Sequence, residues 1–341
     1  MKALLQHPWV RRLAWGSVFL SFPVWFGAFV VPPFLPLSVA EKAGAAATMI
    51  GVGEALFWLP TLILGAEVVN RFRKPKVRTG ASLQGLRVAV MGANGGLGAA
   101  VVRALHREGA AVVLMGRNEG ALRALAAEVG GAVVLTDLHP ENLRQAAAEI
   151  GALDHLVCAT GMDLRKPLLS HADAEVKEQL SVALQGPIDL VRCFIPSLRH
   201  GGTVVLFGGF GDGRVALPYY TVDVAARAGL AGFCAAMNRE LALEGRDLRL
   251  CYFCPPPADT EAERPFAALW AEMGSPLVAP ETVADAVLQA LLARREVAVM
   301  GLGNQSLTYL ERLAGPLSTL LVKTWLGPRL KAAFGSRTVQ P

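Results

Sequence analysis

Short apolar runs alternate with helix-like segments between residues 85 and 301. The apolar runs have the length of buried strands and read RVAVMG, AVVLMG, AVVLTD, HLVCAT, TVVLFG, LRLCYFC and VAVMG. The segments between them predict helices over 97–108, 119–129, 140–150, 174–198, 222–244 and 281–295. Strands joined by helical crossovers lie parallel. The pattern therefore predicts an α/β fold: one Rossmann-like domain, residues 85–301, with a doubly wound parallel sheet.

Two long apolar stretches precede this domain. Residues 13–40 carry no charge, and residues 43–66 carry only Glu54. Each stretch exceeds the roughly 20 residues that span a bilayer, which predicts a two-helix transmembrane hairpin within residues 1–69. A cleaved signal peptide is the competing interpretation, but the second stretch follows the first directly. An ionised Glu54 facing hydrocarbon would be costly, so we expect it to be protonated, paired across the hairpin, or part of a site.

Basic residues flank the hairpin. Lys2, Arg11 and Arg12 lie before or at the start of the first span, and a basic linker, residues 70–84, follows the second. The linker's basic residues are Arg71, Arg73, Lys74, Lys76 and Arg78. This distribution predicts that both termini and the domain are cytoplasmic, with the linker either near anionic lipid headgroups or acting only as a topology signal. Because these five residues match the whole formal charge of +5, we expect no nucleic-acid partner.

The C-terminal segment, residues 302–341, mixes Leu and Trp with Lys and Arg. Pro316 and Pro328 interrupt it, so it is too broken to span a membrane. The composition predicts a helix lying on the bilayer surface, and packing on the domain is the alternative. The sequence does not set the oligomeric state, and a homo-oligomer is compatible with it.

The chain has 5 cysteines, an odd number that predicts no disulfide framework in a cytoplasmic domain. Cys251 and Cys254, in CYFC, have the spacing of a redox or zinc pair. Positions three apart on a strand, however, point to opposite faces of the sheet. We therefore expect both thiols in the core, and no metal site.

A glycine-rich turn lies where the first strand meets the first helix, in VAVMGANGGLGAAVV. Glycines there let backbone amides and the positive end of the helix approach a pyrophosphate without interference from a Cβ. The predicted dinucleotide-binding turn consists of Gly92, Asn94, Gly95, Gly96, Leu97 and Gly98.

The second strand ends at Gly116 and Arg117, not at the acidic residue that would bind a ribose 2′-hydroxyl. A guanidinium suits the 2′-phosphate of NADP(H), although Arg117 as a surface residue is the alternative. Asp137 and Leu138 follow the third strand, and Asp137 is predicted to bond the adenine amino group.

The glycine spacing G-x-x-x-G-x-G, the aspartate after the third strand and the strand order resemble the short-chain dehydrogenases/reductases over residues 85–301. In VCATG, Gly161 matches the glycine of that family's NNAG, with Cys158 and Ala159 in place of the asparagines. In PPPADT, Pro255 and Thr260 match the residues that flank the nicotinamide. The resemblance thus implies a dinucleotide site that binds NADP(H).

Two further resemblances concern the substrate and the membrane. The PPxxDT form is similar to the ketosphinganine reductases, membrane-bound relatives that handle a long-chain lipid. The hairpin, with GVGEALFWLPTLILGAEVV, resembles the transporter suffix, a membrane segment attached to other proteins. Together they imply a bilayer partner and a lipid-like substrate.

The family's catalytic residues are replaced. Laid on the pattern YxxxKAGLxGF, DVAARAGLAGF puts Asp223 at the Tyr and Arg227 at the Lys. Gly208 and Gly209 stand where the family has its Ser pair, and Ala183 stands at its Asn. A carboxylate one turn before a guanidinium forms a favourable ion pair and stays ionised, which makes it a poor proton donor at pH 7.

Two functions follow from these residues. The first is a membrane-anchored, atypical oxidoreductase that uses NADP(H) on a lipid or other apolar carbonyl or alcohol. The second is a non-catalytic pseudoenzyme that retains the nucleotide pocket and acts as a sensor, scaffold or partner-binding module. The hairpin, the amphipathic C-terminal segment and PPPADT favour the first, and the replaced catalytic residues favour the second.

Overall fold

A computed structural model describes residues 8–64, 82–162, 164–209 and 213–336 of the 341-residue chain. The chain divides into two compact units, Met1–Lys76 and Val77–Pro341. The basic residues predicted at the membrane interface, Arg71 to Arg78, lie outside the described residues.

Within residues 8–64, the described part of the first unit, two helices, α1 (Pro8–Val30) and α2 (Val39–Leu64), are joined through a 3₁₀ turn at Pro32–Phe34. The helices pack closely where glycines face the partner helix. A Cβ on Gly27 would lie 2.8 Å from Met49, and one on Gly53 would lie 2.7 Å from Trp25. The predicted helical hairpin is therefore present as a packed pair.

Within the described part of the chain, no helix is both long enough and apolar enough to cross a bilayer. The two predicted transmembrane spans are thus not confirmed. The range of α1 includes Arg11 and Arg12, and α2 contains charged residues at both Glu41 and Glu54. Glu54 accepts a hydrogen bond from Trp58 Nε1 at 2.7 Å, a contact within its own helix, whereas pairing across the hairpin was one of the three alternatives given above.

The second unit is built on a parallel sheet in the order β3-β2-β1-β4-β5-β6-β7. Its strands are β1 (Arg87–Met91), β2 (Ala111–Gly116), β3 (Ala132–Leu135), β4 (Leu153–Cys158), β5 (Leu198–Phe207), β6 (Arg249–Cys254) and β7 (Val297–Val299). The predicted doubly wound α/β fold is confirmed. The order reverses direction between β1 and β4, the place where such sheets open a crevice for ligands.

Helices cover both faces of the sheet. They are α3 (Gly96–Arg107), α4 (Glu119–Val129), α5 (Pro140–Ile150), α6 (Asp173–Leu180), α7 (Gly186–Phe194), α8 (Thr221–Leu243), α9 (Ala267–Glu272) and α10 (Pro280–Ala293). Helices α3, α4 and α10 contribute to one core layer, and α5, α7 and α8 to the other. The strand pleat divides the residues between these layers, so that Cys251 lies in the first and Cys254 in the second, as expected.

The helix predicted over 174–198 is interrupted. A π-helical turn, Ser181–Gln185, separates α6 from α7, and a 3₁₀ turn, Ile195–Ser197, precedes β5. The pairing of β4 with β5 shifts register between Leu153 and His155, and His155 Nδ1 accepts the Thr203 N–H at 3.0 Å there. Burial lowers the pKa of His155 to about 4, so the ring is a neutral acceptor near pH 7.

The C-terminal segment packs on the domain, which is the alternative given for it above. It forms α11 (Leu302–Leu313), α12 (Gly315–Leu321), a π-helical turn (Val322–Leu326) and α13 (Gly327–Phe334). Its buried residues join a core cluster with residues 215–220 and 270–273. The amphipathic pattern identifies the apolar stripe, and such a stripe packs against a protein surface as well as against a membrane.

Candidate functional site

Two adjoining cavities open along the carboxyl edge of the sheet. One, of about 1190 Å³, extends from the end of β1 past β2 and β3, and we call it the cofactor cavity. The other, of about 930 Å³, extends from the glycine turn to the start of α8 and the segment after β6, and we call it the substrate cavity. Residues 159–161, at the end of β4, line both cavities, so the two are continuous.

The turn between β1 and α3 depends on its glycines. Gly92 has φ +80° and donates to Met115 O at 2.9 Å, which ties the turn to β2. Gly95 N–H donates back to Gly92 O at 3.1 Å. A Cβ on Gly98 would lie only 2.1 Å from Gly92 O, so α3 can begin this close to β1 only with glycine there. The result is a backbone cradle at a helix N-terminus, which fits a dinucleotide's pyrophosphate.

The structure brings the predicted cofactor residues together around this cradle. The cofactor cavity is lined by Gly92, Asn94, Gly95, Arg117, Asp137, Leu138, Ala159 and Gly161, among others. The substrate cavity is lined by Asn94, Gly95, Gly96, Leu97, Ala159, Gly161, Pro255 and Thr260, among others. Thr260 Cγ2 lies 2.8 Å from the Cβ position of Gly96, so the segment after β6 closes over the turn. Gly98 lines neither cavity and acts by shaping the turn.

Arg117 and Asp137 occupy the outer end of the cofactor cavity, beyond β2 and β3. Arg117 is exposed and also borders a smaller cavity of about 320 Å³. Hydrogen bonds from Asn142 Nδ2 and the His139 amide, each 2.8 Å from Asp137 Oδ1, hold the pKa of Asp137 below its ordinary value. This end of the cavity thus presents an exposed cation and a carboxylate held by two hydrogen bonds.

Asp223 and Arg227 meet in the first two turns of α8. Arg227 Nε donates to Asp223 Oδ1 at 3.1 Å, and Nη1 donates to Phe207 O, at the end of β5, at 2.8 Å. Both side chains are buried, yet both line the substrate cavity. The predicted ion pair therefore forms, and it also ties α8 to the sheet.

Gly209 packs directly on this pair. A Cβ there would lie 3.0 Å from Arg227 Cγ and 3.3 Å from Asp223 Oδ2. These distances are tighter than ordinary contacts, so a serine at this position would crowd the pair. The glycine and the ion pair consequently form one packed unit at the positions that the sequence resemblance aligns with the family's Ser, Tyr and Lys.

Ala183 is fully buried in the π-helical turn Ser181–Gln185. Such turns are rare and often lie at functional sites. The local backbone irregularity is present while the side chain that the family uses there is reduced to a methyl group.

Tyr252, on β6, is a residue that sequence reasoning missed. Its hydroxyl accepts the Gly209 N–H at 3.3 Å, and its ring lies 2.3 Å from the Cβ position of Gly208. Burial raises the pKa of Tyr252 well above its usual range, so the phenol stays neutral. Nothing in LRLCYFC indicated that this ring fills the space that a side chain at residue 208 would need.

Arg165 forms the second missed feature, on the opposite side of the substrate cavity. Its guanidinium carbon lies 5.4 Å from the ring centre of Tyr220, 5.1 Å from that of Phe266 and 5.7 Å from that of Trp270. Arg165 is also paired with Glu263, which accepts from Trp270 Nε1 at 2.7 Å. We call Arg165, Tyr220, Glu263, Phe266 and Trp270 the arginine cluster.

The arginine cluster is one part of a largely apolar wall. Val215, Leu217 and Val224 also line the substrate cavity. The charged groups named so far pair within the cavity, Arg165 with Glu263 and Arg227 with Asp223. The arrangement suits a ligand with a neutral, apolar body.

Known dehydrogenases and reductases are similar to this chain in sequence. The chain is 25% identical over 263 residues to a ketoacyl reductase, HetN, of Nostoc sp., covering 72% of this chain and 91% of that protein. It is 30% identical over 191 residues to a D-xylose 1-dehydrogenase of Caulobacter vibrioides, covering 54% of this chain and 75% of that protein.

A solved structure shows the same fold. A short chain dehydrogenase from Burkholderia cenocepacia, in complex with NADP, superposes with a TM-score of 0.62 at 26% identity, covering 72% of this chain and 99% of that one. The family model described as short chain dehydrogenase matches residues 87–268. Since this match spans more than half of the 341 residues, the chain belongs to the short chain dehydrogenase family.

Proposed function

We propose that the protein binds NADP(H) and acts as an atypical oxidoreductase on a lipid or other apolar carbonyl or alcohol. The observation that carries the proposal is the glycine cradle between β1 and α3, which opens directly into an apolar cavity. The cradle fits a pyrophosphate because glycines at 92 and 98 let the chain turn tightly into α3, where a Cβ on Gly98 would lie 2.1 Å from Gly92 O, and leave backbone amides at the helix N-terminus.

Arg117 supports NADP(H) over NAD(H). It follows β2 and borders the cofactor cavity, where a 2′-phosphate on the adenine ribose would be within reach of a guanidinium. The similar Burkholderia protein is described as a complex with NADP. Asp137, held by Asn142 and His139, is the group that we assign to the adenine.

In the substrate cavity, beside Asp223 and Arg227, the proposed chemistry differs from that of a tyrosine-dependent reductase. The nicotinamide, when bound, exchanges a hydride with the substrate carbon. Asp223 is paired with Arg227, and a neighbouring positive charge favours the carboxylate form. A carboxylate accepts a proton better than it donates one, so this site suits the oxidation of an alcohol, in which Asp223 takes the hydroxyl proton.

Arg227 has the position of the family lysine. Its guanidinium approaches the cofactor cavity, since Nη2 lies 3.4 Å from the Cβ position of Gly161. We propose that Arg227 contacts the nicotinamide ribose while its bond to Phe207 O fixes its orientation.

A non-catalytic nucleotide-binding module is the second candidate. The packing of Gly209 against the Asp223–Arg227 pair favours it, because this unit fills the space where the family places its serine hydroxyl. The buried methyl group of Ala183 supports the same candidate.

Titration of the purified chain with NADPH and NADP⁺, followed by fluorescence, tests the shared premise. Incubation with long-chain ketones, aldehydes and alcohols then separates the two candidates. Turnover that Asp223→Asn abolishes supports the oxidoreductase, and tight binding without turnover supports the module. If neither nucleotide binds, both candidates are wrong.

We also propose that the hairpin anchors the chain to a lipid bilayer with both termini and the domain on the cytoplasmic side. Large apolar side chains lie on its outside, with Phe34 84%, Phe19 68% and Phe26 67% exposed. Its sequence resemblance to the transporter suffix supports a portable anchor. Flotation of the full chain with liposomes tests this, because a chain without the anchor would stay at the bottom of the gradient.

A further inference from the structure

The C-terminal segment, residues 302–336, has one apolar face turned towards the domain. Leu326, Leu330 and Phe334 are buried on this face, and Phe334 is 0% exposed. They belong to the same core cluster as Val215, Leu217, Tyr220 and Trp270, all of which line the substrate cavity. The segment therefore lies directly behind the wall of that cavity.

Phe334 makes the contact between the segment and the arginine cluster. Its ring centre lies 5.8 Å from that of Tyr220, at an interplanar angle of 88°, and 5.3 Å from that of Phe266, at 61°. Both are edge-to-face contacts, the arrangement that aromatic pairs prefer. Tyr220 and Phe266 in turn both stack on Arg165.

This chain of contacts makes the position of the wall depend on Phe334. Tyr220 comes from the start of α8, Arg165 from the segment after β4, and Phe266 from the segment after β6. The ring of Phe334 touches two of these three elements from behind. Close-packed interiors transmit such support, so a smaller residue at 334 would let Tyr220 and Phe266 move back from the cavity.

The opposite face of the segment provides a control. Trp325 is 37% exposed and stacks with Arg329, whose guanidinium carbon lies 5.3 Å from the ring centre. Trp325 thus offers an aromatic residue in the same segment, five residues before Leu330, that does not belong to the core cluster behind the cavity.

We propose that the C-terminal segment forms the back wall of an apolar subsite for the neutral hydrocarbon part of the substrate, and that Phe334 sets the depth of this subsite. Phe334 acts through Tyr220 and Phe266, and is therefore a positioning residue and not a catalytic one. The proposal rests on the proposed function for its substrate class. It adds that Phe334, through Tyr220 and Phe266, determines how long a hydrocarbon chain the subsite accommodates.

The test compares Phe334→Leu and Phe334→Ala with the control Trp325→Leu and the unmodified chain. Each protein is assayed on a graded series of unbranched methyl ketones and secondary alcohols, from short to long. NADPH binding is titrated in parallel, and binding of the neutral apolar dye Nile red is measured in the presence of NADPH. Thermal unfolding reports whether each variant is folded, and Phe334→Leu decides the result if Phe334→Ala does not fold.

In Phe334→Leu, we expect the ratio of kcat/KM for the longest over the shortest substrate to rise about tenfold, mainly through KM. The NADPH affinity should stay within about twofold, and Trp325→Leu should keep the unmodified profile. The same length profile in Phe334→Leu and in the unmodified chain would overturn the subsite while leaving the proposed function intact. An unmodified chain that binds NADPH but neither turns over any substrate nor binds the dye would refute the apolar substrate class and the subsite with it.

Discussion

The cofactor cavity and the substrate cavity lie along the same edge of one sheet. The glycine turn between them, here called the cofactor end, and the start of α8 with Gly209 and Ala183, here called the catalytic end, differ in how much they resemble the family. At the cofactor end, the parts that bind are backbone groups, and the turn from Gly92 to Gly98 retains the glycines that expose them. At the catalytic end, the parts that react in this family are side chains, and the predicted register of the helix and turns puts Asp223, Arg227, Gly209 and Ala183 at their positions. Backbone function depends on the fold itself, whereas side-chain function can be exchanged while the fold persists.

The replacements at the catalytic end are not independent of one another. Arg227 bonds Asp223 and Phe207 O, Gly209 gives the pair its space, and Tyr252 occupies the space beside Gly208. A serine at residue 209 would crowd Arg227 and Asp223, and a side chain at residue 208 would meet the ring of Tyr252. These residues therefore form one unit with complementary volumes and charges.

Restoring the family's residues together should produce the largest change. A variant with Gly209→Ser, Asp223→Tyr, Arg227→Lys and Ala183→Asn recovers the proton donor and its supports. General acid–base catalysis contributes about 10² or more, so we expect ketone reduction with NADPH to rise by roughly that factor. Steady-state rates on a panel of apolar ketones measure it.

The partial variant Gly209→Ser with Ala183→Asn is the matched control, and it should not gain activity because the new serine meets Arg227 Cγ. Equal, low rates of ketone reduction in the full and partial variants would show that restoring these four side chains is not sufficient for catalysis.

The next prediction concerns the stability of the catalytic end. Asp223→Ala leaves the buried Arg227 without its carboxylate, and removing one partner of a buried pair destabilises by about 3 kcal/mol or more. Arg107–Asp285 is an exposed ion pair, each side chain 56% exposed, and Asp285→Ala should cost less than about 1 kcal/mol. Urea unfolding of both variants gives the free energies.

A similar, small loss in both variants would mean that water reaches the Asp223–Arg227 pair in solution. Arg227→Met combined with Asp223→Leu should recover stability relative to Asp223→Ala, since it removes the unpaired charge.

Much of this comparison could be made from the sequence. The order of elements, the glycine turn and the Asp223–Arg227 pair all depend on local spacing, which a sequence displays directly. Tyr252 and Arg165 were missed because their roles depend on residues far along the chain, Gly208 for the first and Glu263 and Phe266 for the second. For the C-terminal segment, the amphipathic pattern identifies an apolar face but not whether the domain or a membrane covers it.

Two variants at the cofactor end, Gly98→Ala and Arg117→Ala, should weaken nucleotide binding. Gly98→Ala should have the larger effect. Its Cβ would lie 2.1 Å from Gly92 O, a backbone atom that cannot move without opening the cradle. Overpacking of this kind costs up to about 3 kcal/mol, which corresponds to roughly a hundredfold in Kd for NADPH. Gly232→Ala, on the exposed face of α8, is the control, since its Cβ would meet no atom within 4 Å. Equal affinities in Gly98→Ala and this control would show that the turn is not the pyrophosphate site.

Arg117 provides the smallest and most selective test of the cofactor end. Arg117 is exposed, so Arg117→Ala removes a charge without disturbing the core, and thermal unfolding should remain unchanged. If the guanidinium meets a 2′-phosphate, the variant should bind NADPH about tenfold more weakly, because one exposed charge-assisted contact contributes about 1.4 kcal/mol. NADH has no 2′-phosphate, so its Kd should stay constant. Parallel titrations with both nucleotides measure the ratio of the Kd for NADPH to the Kd for NADH. An equal loss of affinity for both would mean that Arg117 contacts a part of the cofactor that the two nucleotides share. The argument for NADP(H) over NAD(H) would then fail.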